Sequence, residues 1–151
     1  MHIAINSSKI DITSLESTKK LAEEFLKYLN KGTIACFYGD VGVGKTTFIK
    51  YLINAYQKKN DLQITEVTSP TFNLLNEYEV GDTIIKHYDF YRLKKESEIN
   101  KIDLFEKDSN DISLIEWPEL LNKNRSIKSI NLIFTYENDF NNRYVKISNL
   151  T

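Results

Sequence analysis

Cysteine and long apolar segments are nearly absent from this sequence. Cys36 is the only cysteine among 151 residues, which excludes an intramolecular disulfide and a metal site built from several cysteines. A membrane-spanning helix needs about 20 mostly apolar residues, and no window of the sequence approaches that length. The opening stretch, MHIAINSSKIDI, has neither a basic leader nor a long apolar segment. We therefore expect a soluble, cytoplasmic protein that does not bind a membrane.

An excess of charge of either sign is also missing. Lysine and arginine together number 20 against 21 aspartates and glutamates, and the basic residues are dispersed among the acidic ones. A large electropositive surface for tight, direct nucleic-acid binding is therefore not expected. The length of 151 residues and a composition of 41% hydrophobic and 27% charged residues suit one globular unit with a single core. We predict a single domain over residues 1–151.

Apolar periodicity predicts a helix, a strand, a glycine loop and a second helix in the first half of the chain. Thr13 precedes Glu16 by three positions, as in a capping box, and Gly32 marks the expected end of the first helix. The segment TIACFY is rich in β-branched and aromatic residues and predicts a strand. After the glycines, apolar residues recur at helical spacing over residues 48–56.

The second half predicts mostly strands. A hairpin is expected around the turn at Gly81 and Asp82, and DISLIEW predicts an apolar strand that Pro118 stops. The charged segment KKESEINKIDLFEK favours a short helix, and the alternating tail favours a closing antiparallel pair of strands. The predicted class is α/β: a P-loop NTPase-like, three-layer fold whose central mixed sheet has helices on both faces and antiparallel C-terminal strands.

The segment from Gly39 to Thr46, GDVGVGKT, fits the phosphate-binding pattern GxxxxGK(S/T) between a predicted strand and a predicted helix. Its backbone N–H groups and the helix N-terminus suit phosphate oxygens, and Lys45 reaches the terminal phosphates. The hydroxyl of Thr46 is the expected Mg²⁺ ligand. Thr47 either touches the first phosphate or is an ordinary helix residue. The predicted nucleotide-binding residues here are Asp40, Val41, Gly42, Val43, Gly44, Lys45, Thr46 and Thr47.

Two carboxylates at the ends of predicted strands are candidates for the metal and for hydrolysis. Asp89 ends IIKHYD and Glu116 ends ISLIE. A P-loop enzyme needs an acid at the end of a neighbouring strand to hold Mg²⁺ or to orient the attacking water. A solvated side chain is the alternative for each residue taken alone. His87 and Trp117 flank these acids, and each is either a packing residue or part of the site.

The segment TSPT ends at Thr71, and we expect Thr71 to sense the terminal phosphate, although a plain turn explains the segment equally well.

The NKID segment at residues 100–103 matches the guanine-recognition pattern of GTPases, but no glycine has an aspartate three residues ahead of it, so we reject a GTPase. Small-molecule kinases commonly gather several arginines on the transferred phosphate. The sequence has only Arg92, Arg125 and Arg143, so a small-molecule kinase is a less favoured alternative.

The P-loop, TSPTFNLLNEYE, HYDFYRL and LIEWPE occur in this order, and on these motifs the chain resembles the bacterial TsaE family, called YjeE in older usage. Val41 and Val43 replace the family's usual Leu and Ala, and Phe90 replaces the Leu of DLYRL, without loss of a polar group. The segment INKIDLFEKD lacks the family's usual Gly-Leu pair, which puts the local helix geometry and a partner contact in question.

The resemblance implies an ATPase of tRNA threonylcarbamoyladenosine synthesis that uses ATP and Mg²⁺ and is weak without its partners. TsaB and TsaD are the implied partners, and tRNAs reading ANN codons are reached through that complex. Lys45 and Thr46 would hold phosphate and Mg²⁺, Glu116 would be the second metal-site acid, and Asp89 would assist hydrolysis. Trp117 would lie beside the nucleotide, and Thr13 would border the adenine. A nucleotide-gated binding module, in which hydrolysis only resets the protein, and a small-molecule kinase remain the alternatives.

Overall fold

The fold is built around one mixed sheet. The computed structural model describes residues 8–70, 74–95, 98, 110–123 and 128–150. Within these residues the strands are β1 (Lys9–Asp11), β2 (Ile34–Tyr38), β3 (Leu75–Val80), β4 (Thr83–Asp89), β5 (Ile112–Glu116), β6 (Ile130–Glu137) and β7 (Asn142–Ser148). The helices are α1 (Leu15–Phe25), α2 (Lys45–Lys59) and two 3₁₀ helices, Leu26–Tyr28 and Pro118–Lys123.

The order of the strands brings three chain segments to one end of the sheet. The order is β1-β7-β6-β2-β5-β4-β3, with β2 parallel to both β5 and β6, and β4 parallel to β5. The carboxyl ends of β2, β4 and β5 therefore lie at the same edge, and Asp89 is the register partner of Glu116. In α/β sheets this edge is where ligands bind.

Both α-helices pack on one face of the sheet. Because side chains alternate between the two faces along β2, Phe37 points into this layer. There the ring centroid of Phe48 in α2 lies 6.1 Å from that of Phe25 in α1. Phe134 of β6 completes the aromatic cluster, 5.8 Å from Phe48. All four rings are 2% exposed or less, so the hydrophobic effect fixes α2, and hence the loop before it, against the sheet.

The opposite face carries a smaller cluster that includes Cys36, Tyr88, Ile115 and Leu121. Leu121 belongs to the second 3₁₀ helix, which covers this face among the described residues. Burial raises the pKa of the Cys36 thiol to about 11, so it behaves as an inert packing group. The predicted α/β P-loop-like class is confirmed. The predicted helix in KKESEINKIDLFEK lies largely outside the described residues.

The structure corrects two local predictions and adds a strand that was not predicted. Ser14, not Thr13, caps α1, because the Ser14 side chain accepts a 3.0 Å hydrogen bond from the Ser17 N–H, so there is no capping box with Glu16. The helix also ends before Gly32, through the 3₁₀ turn Leu26–Tyr28. Strand β1 was not predicted, because three residues are too few for alternation to be recognised.

The part of the chain that the structure describes contains no helix long and apolar enough to cross a membrane.

Candidate functional site

The glycine loop has a backbone that only glycine adopts easily. Gly39 has φ 143°, and a Cβ there would lie 2.8 Å from the Phe134 carbonyl oxygen. Gly44 has φ 112° and immediately precedes the first residue of α2, so the helix begins at Lys45. The Val43 N–H donates to the Asp40 carbonyl at 3.3 Å, which closes the turn between them. The free N–H groups at the start of α2 thus form a site suited to an anion.

Lys45 is held at the floor of this loop. Its side chain is 4% exposed, its ammonium donates to the Gly39 carbonyl oxygen, and Nζ lies 3.7 Å from the centroid of the Trp117 ring. Burial lowers the pKa of Lys45, and the negative charges of Glu116 and other nearby carboxylates partly oppose this effect. A poorly solvated ammonium beside free N–H groups favours a bound anion such as phosphate.

Glu116 contacts two side chains at once. Its Oε1 accepts a 2.8 Å hydrogen bond from Thr46 Oγ1, and its Oε2 lies 2.6 Å from His87 Nε2. Glu116 is 2% exposed and His87 is fully buried. The start of α2 and the ends of β4 and β5 therefore meet at this one carboxylate.

Asp89 lies beside Glu116 and is held by other donors. Oδ1 accepts a 3.0 Å hydrogen bond from the Tyr91 N–H, and Oδ2 accepts a 3.2 Å bond from the Ser69 hydroxyl. Burial raises the pKa of Asp89, and the charge of Glu116 adds to the rise, while these hydrogen bonds oppose it. A carboxylate with a raised pKa in a cleft is a typical functional group.

Trp117 follows Glu116 in a strained conformation. Its φ of 56° lies in the left-handed region, which bulky residues seldom adopt. The indole is close both to the Lys45 ammonium and to the Tyr91 ring, whose centroid is 4.8 Å away. Strain of this kind persists where the surroundings fix the residue, and here it places an aromatic wall beside the glycine loop.

These groups line a cleft of about 290 Å³ at the carboxyl end of the parallel strands. Its lining consists of Val41, Gly42, Gly44, Lys45, Thr46, Thr47, Ser69, Asp89, Tyr91, Glu116, Trp117 and Arg143. The donor types suit a magnesium-bound phosphate ester, since hydroxyl and carboxylate oxygens are the ligands that Mg²⁺ prefers. Thr46, Glu116 and Asp89 are the residues that could hold such an ion, and the loop and Lys45 match the anion.

Three of the predicted residues that the structure describes do not line this cleft with their side chains. Asp40 is exposed, and Val43 is fully buried in the core, so each offers its backbone only. Thr13 does not line the cleft but contacts a residue that does, because its Oγ1 accepts a 3.0 Å hydrogen bond from the Arg143 N–H. Thr71 and the NKID segment at residues 100–103 lie outside the described residues.

Three lining residues were not predicted. Ser69 belongs to TSPT, where the sequence favoured Thr71 instead, and Tyr91 follows the predicted acid by two residues. No nearby sequence motif indicates a functional role for Arg143, because it lies near the start of a strand with ordinary alternation of apolar and polar residues. It reaches the cleft because β7 is joined to the sheet beside β6, with Arg143 opposite Tyr136.

Sequence comparisons identify relatives of this chain. The profile of the family described as "Threonylcarbamoyl adenosine biosynthesis protein TsaE" matches residues 12–145. A protein of Rickettsia bellii named "tRNA threonylcarbamoyladenosine biosynthesis protein TsaE" is 40% identical over 117 residues, covering 78% of each chain. A protein of Aquifex aeolicus with the same name is 38% identical over 111 residues, covering 74% of this chain and 77% of the relative.

A comparison of folds agrees with the sheet topology. The crystal structure of YdiB from Bacillus subtilis superposes with a TM-score of 0.71, covering all of this chain and 90% of YdiB. At 21% sequence identity this likeness supports the fold alone.

Proposed function

We propose that this chain, which belongs to the TsaE family, binds ATP with Mg²⁺ and hydrolyses it in the biosynthesis of tRNA threonylcarbamoyladenosine. The family and its named relatives support the role in this tRNA modification. One observation carries the ATPase part: a single cleft brings Lys45 and Thr46 of the glycine loop together with the carboxylates Asp89 and Glu116. We propose that the whole chain, residues 1–151, is one P-loop ATPase domain.

The glycine loop would bind the phosphates. N–H groups around Gly42 and Gly44 would donate to phosphate oxygens, and the positive end of the α2 dipole would add to the attraction. Lys45 would exchange the Gly39 carbonyl for a phosphate oxygen, which is a stronger, charge-assisted partner. Trp117 would keep the ammonium oriented from the other side.

Thr46 and Glu116 would hold the metal, since their oxygens already meet at 2.8 Å. When bound, Mg²⁺ neutralises the phosphate oxygens and helps to align the terminal phosphate for attack. The Thr46 hydroxyl would then turn a lone pair outward, and Glu116 Oε1 would lose its present donor. Both residues are anchored on buried elements, so the change needs only a rotation of the hydroxyl.

Asp89 would orient the attacking water. It is the register neighbour of Glu116, and its two hydrogen bonds leave further lone pairs for a water molecule. Its raised pKa makes it a better proton acceptor than an ordinary aspartate. A positioned base of this type contributes about 10² to 10⁴ in rate.

We propose that hydrolysis is slow in the isolated chain and becomes productive in a complex with TsaB and TsaD in the cytoplasm. Arg143 is the arginine among the described residues that lines the cleft, and it lies on the β6–β7 side, away from the Asp89 side. An arginine supplied to the transferred phosphate accelerates related NTPases by about 10³ to 10⁵. With a net charge of −1, the chain would reach tRNA through its partners.

The test is reconstitution with purified chain, ATP, Mg²⁺, tRNA, TsaB and TsaD. Phosphate release and modified adenosine are measured with each component omitted in turn. Slow release by the chain alone, faster release with the partners, and loss of both signals in Lys45→Ala are expected. Rapid release by the chain alone with no gain from the partners would contradict partner dependence, and transfer of phosphate to an acceptor other than water would indicate a kinase.

A further inference from the structure

His87 is bound to the acid that we assign to the metal, but it does not line the cleft. Its Nε2 lies 2.6 Å from Glu116 Oε2, and both side chains are withdrawn from solvent, at 0% and 3% exposure. Glu116 Oε1 faces the Thr46 hydroxyl on the opposite side. The two oxygens of one carboxylate are therefore held by residues of two different elements, β4 and α2.

The direction of this hydrogen bond follows from its acceptor. An ionised carboxylate only accepts, so Nε2 of His87 carries the hydrogen and donates it to Glu116. The other ring nitrogen, Nδ1, is buried and has no hydrogen-bond partner among the described residues. Buried polar atoms are usually paired, and an unpaired atom costs free energy. The ring is thus oriented for Glu116 although this leaves Nδ1 unsatisfied.

The sheet makes this orientation rigid. His87 is opposite Leu114 of β5 and Asn76 of β3, so its backbone is fixed on both sides. It shares a face of β4 with Asp89, two residues further along, because side chains alternate along a strand. One strand therefore provides both the candidate base and the group that holds the neighbouring acid.

We propose that His87 is a positioning residue that fixes the rotamer of Glu116, so that Glu116 presents one oxygen, Oε1, to the metal site beside Thr46. This inference rests on the proposed function, since it assigns the metal to Thr46 and Glu116. Without the donor at Oε2, the carboxylate rotates or turns both oxygens toward the cleft, and the metal loses a ligand of defined geometry. Partners of ligating carboxylates typically change metal affinity by about 10- to 100-fold when removed.

The experiment uses a matched pair of amide variants in the full chain. His87→Gln carries an amide nitrogen at the reach of the imidazole Nε2, whereas the shorter His87→Asn does not reach Glu116. Trp117, the sole tryptophan, lines the cleft, so its fluorescence reports nucleotide binding without turnover. ADP is titrated into each variant in EDTA and at a series of Mg²⁺ concentrations, and thermal denaturation verifies that each variant is folded.

His87→Asn should raise the Mg²⁺ concentration needed for half-maximal tightening of ADP binding by about tenfold or more. ADP affinity in EDTA should stay at the wild-type value, and His87→Gln should restore most of the Mg²⁺ response. If His87→Asn does not fold, His87→Met takes its place, since it fills a similar volume without a donor. Equal Mg²⁺ responses in the Gln variant and the donor-less variant would overturn the proposal, as would an equal loss of ADP affinity with and without Mg²⁺.

Glu116→Gln separates this inference from the proposed function. If the wild type shows no Mg²⁺-dependent binding, the metal site itself is wrong. If Glu116→Gln weakens the Mg²⁺ dependence of ADP binding but the His87 variants show the same Mg²⁺ dependence as the wild type, the metal site stands and only the positioning role of His87 fails. The double variant should be no worse than Glu116→Gln alone, because His87 acts through Glu116.

Discussion

Thr46 Oγ1 donates a 2.8 Å hydrogen bond to Glu116 Oε1, which ties the first turn of α2 to the end of β5. The bond joins the two groups that we assign to Mg²⁺. Thr46→Val keeps the shape but leaves a buried carboxylate oxygen without its donor, at a cost of about 1–3 kcal/mol. We expect a lower melting temperature and a weaker Mg²⁺ response, with Thr46→Ser close to the wild type. Denaturation and Mg²⁺ titration of nucleotide binding measure both effects, and equal behaviour of Val and Ser would argue against this role.

Lys45→Met should weaken phosphate binding. A hydrogen bond to a charged group contributes about 1.5–3 kcal/mol, so nucleotide affinity should fall by roughly 10- to 100-fold. The folded chain without nucleotide should nevertheless become more stable at pH 7. The lowered pKa of Lys45 means that its protonated form is disfavoured in the folded state, and Met removes this cost. Calorimetric binding and thermal denaturation measure the two results, and unchanged ATP affinity would contradict the assignment.

Asp89→Asn should separate catalysis from stability. Turnover should fall by about 10² to 10⁴ if Asp89 orients the water, with ATP binding largely kept. The raised pKa of Asp89 stabilises the folded state at low pH, and this contribution is lost as the pH rises through the folded pKa. At pH 7 the Asn variant should therefore melt at a higher temperature than the wild type, and the difference should shrink as the pH falls toward 4. Equal losses of binding and turnover would make Asp89 structural.

Gly39→Ala should destabilise the chain more than Gly44→Ala. Both glycines have positive φ, and a strained backbone of this kind costs about 1–3 kcal/mol for other residues. At Gly39 the added Cβ would also meet the Phe134 carbonyl oxygen at 2.8 Å, whereas at Gly44 it meets nothing within 4 Å. Chemical denaturation of the two variants compares them directly. Equal losses of stability would mean that β6 moves away to accept the methyl group.

Arg143→Met should weaken nucleotide binding, because Arg143 lines the cleft on the β6–β7 side and is a cation. Loss of one charge-assisted contact predicts a decrease of about tenfold in affinity. Lys146→Met is the matched control, since Lys146 is an exposed cation on the same strand. A similar loss in both variants would indicate a general effect of net charge, and no loss in either would exclude Arg143 from the nucleotide site.

The fold was predictable where the signal is local. The strand, glycine loop and helix around Lys45 follow from composition and spacing within a few residues, as does the Gly81 hairpin. The cap of α1 was misassigned because Thr13 and Ser14 both have a hydroxyl that can cap a helix. Which of them does so depends on the backbone position at which the helix starts, and that position makes Ser14 the cap. Strand β1 exists only because β7 pairs with it, which no pattern in three residues reveals.

The sequence by itself determined which chemical groups are present: an anion-binding loop, and two acids that each end an apolar strand. The tertiary structure decided which groups meet. Thr46 and Glu116 are 70 residues apart, His87 and Glu116 are 29 apart, and Arg143 comes from a strand on the far side of the P-loop strand. Their contacts depend on the order and register of the strands, which long-range packing sets and local spacing does not encode.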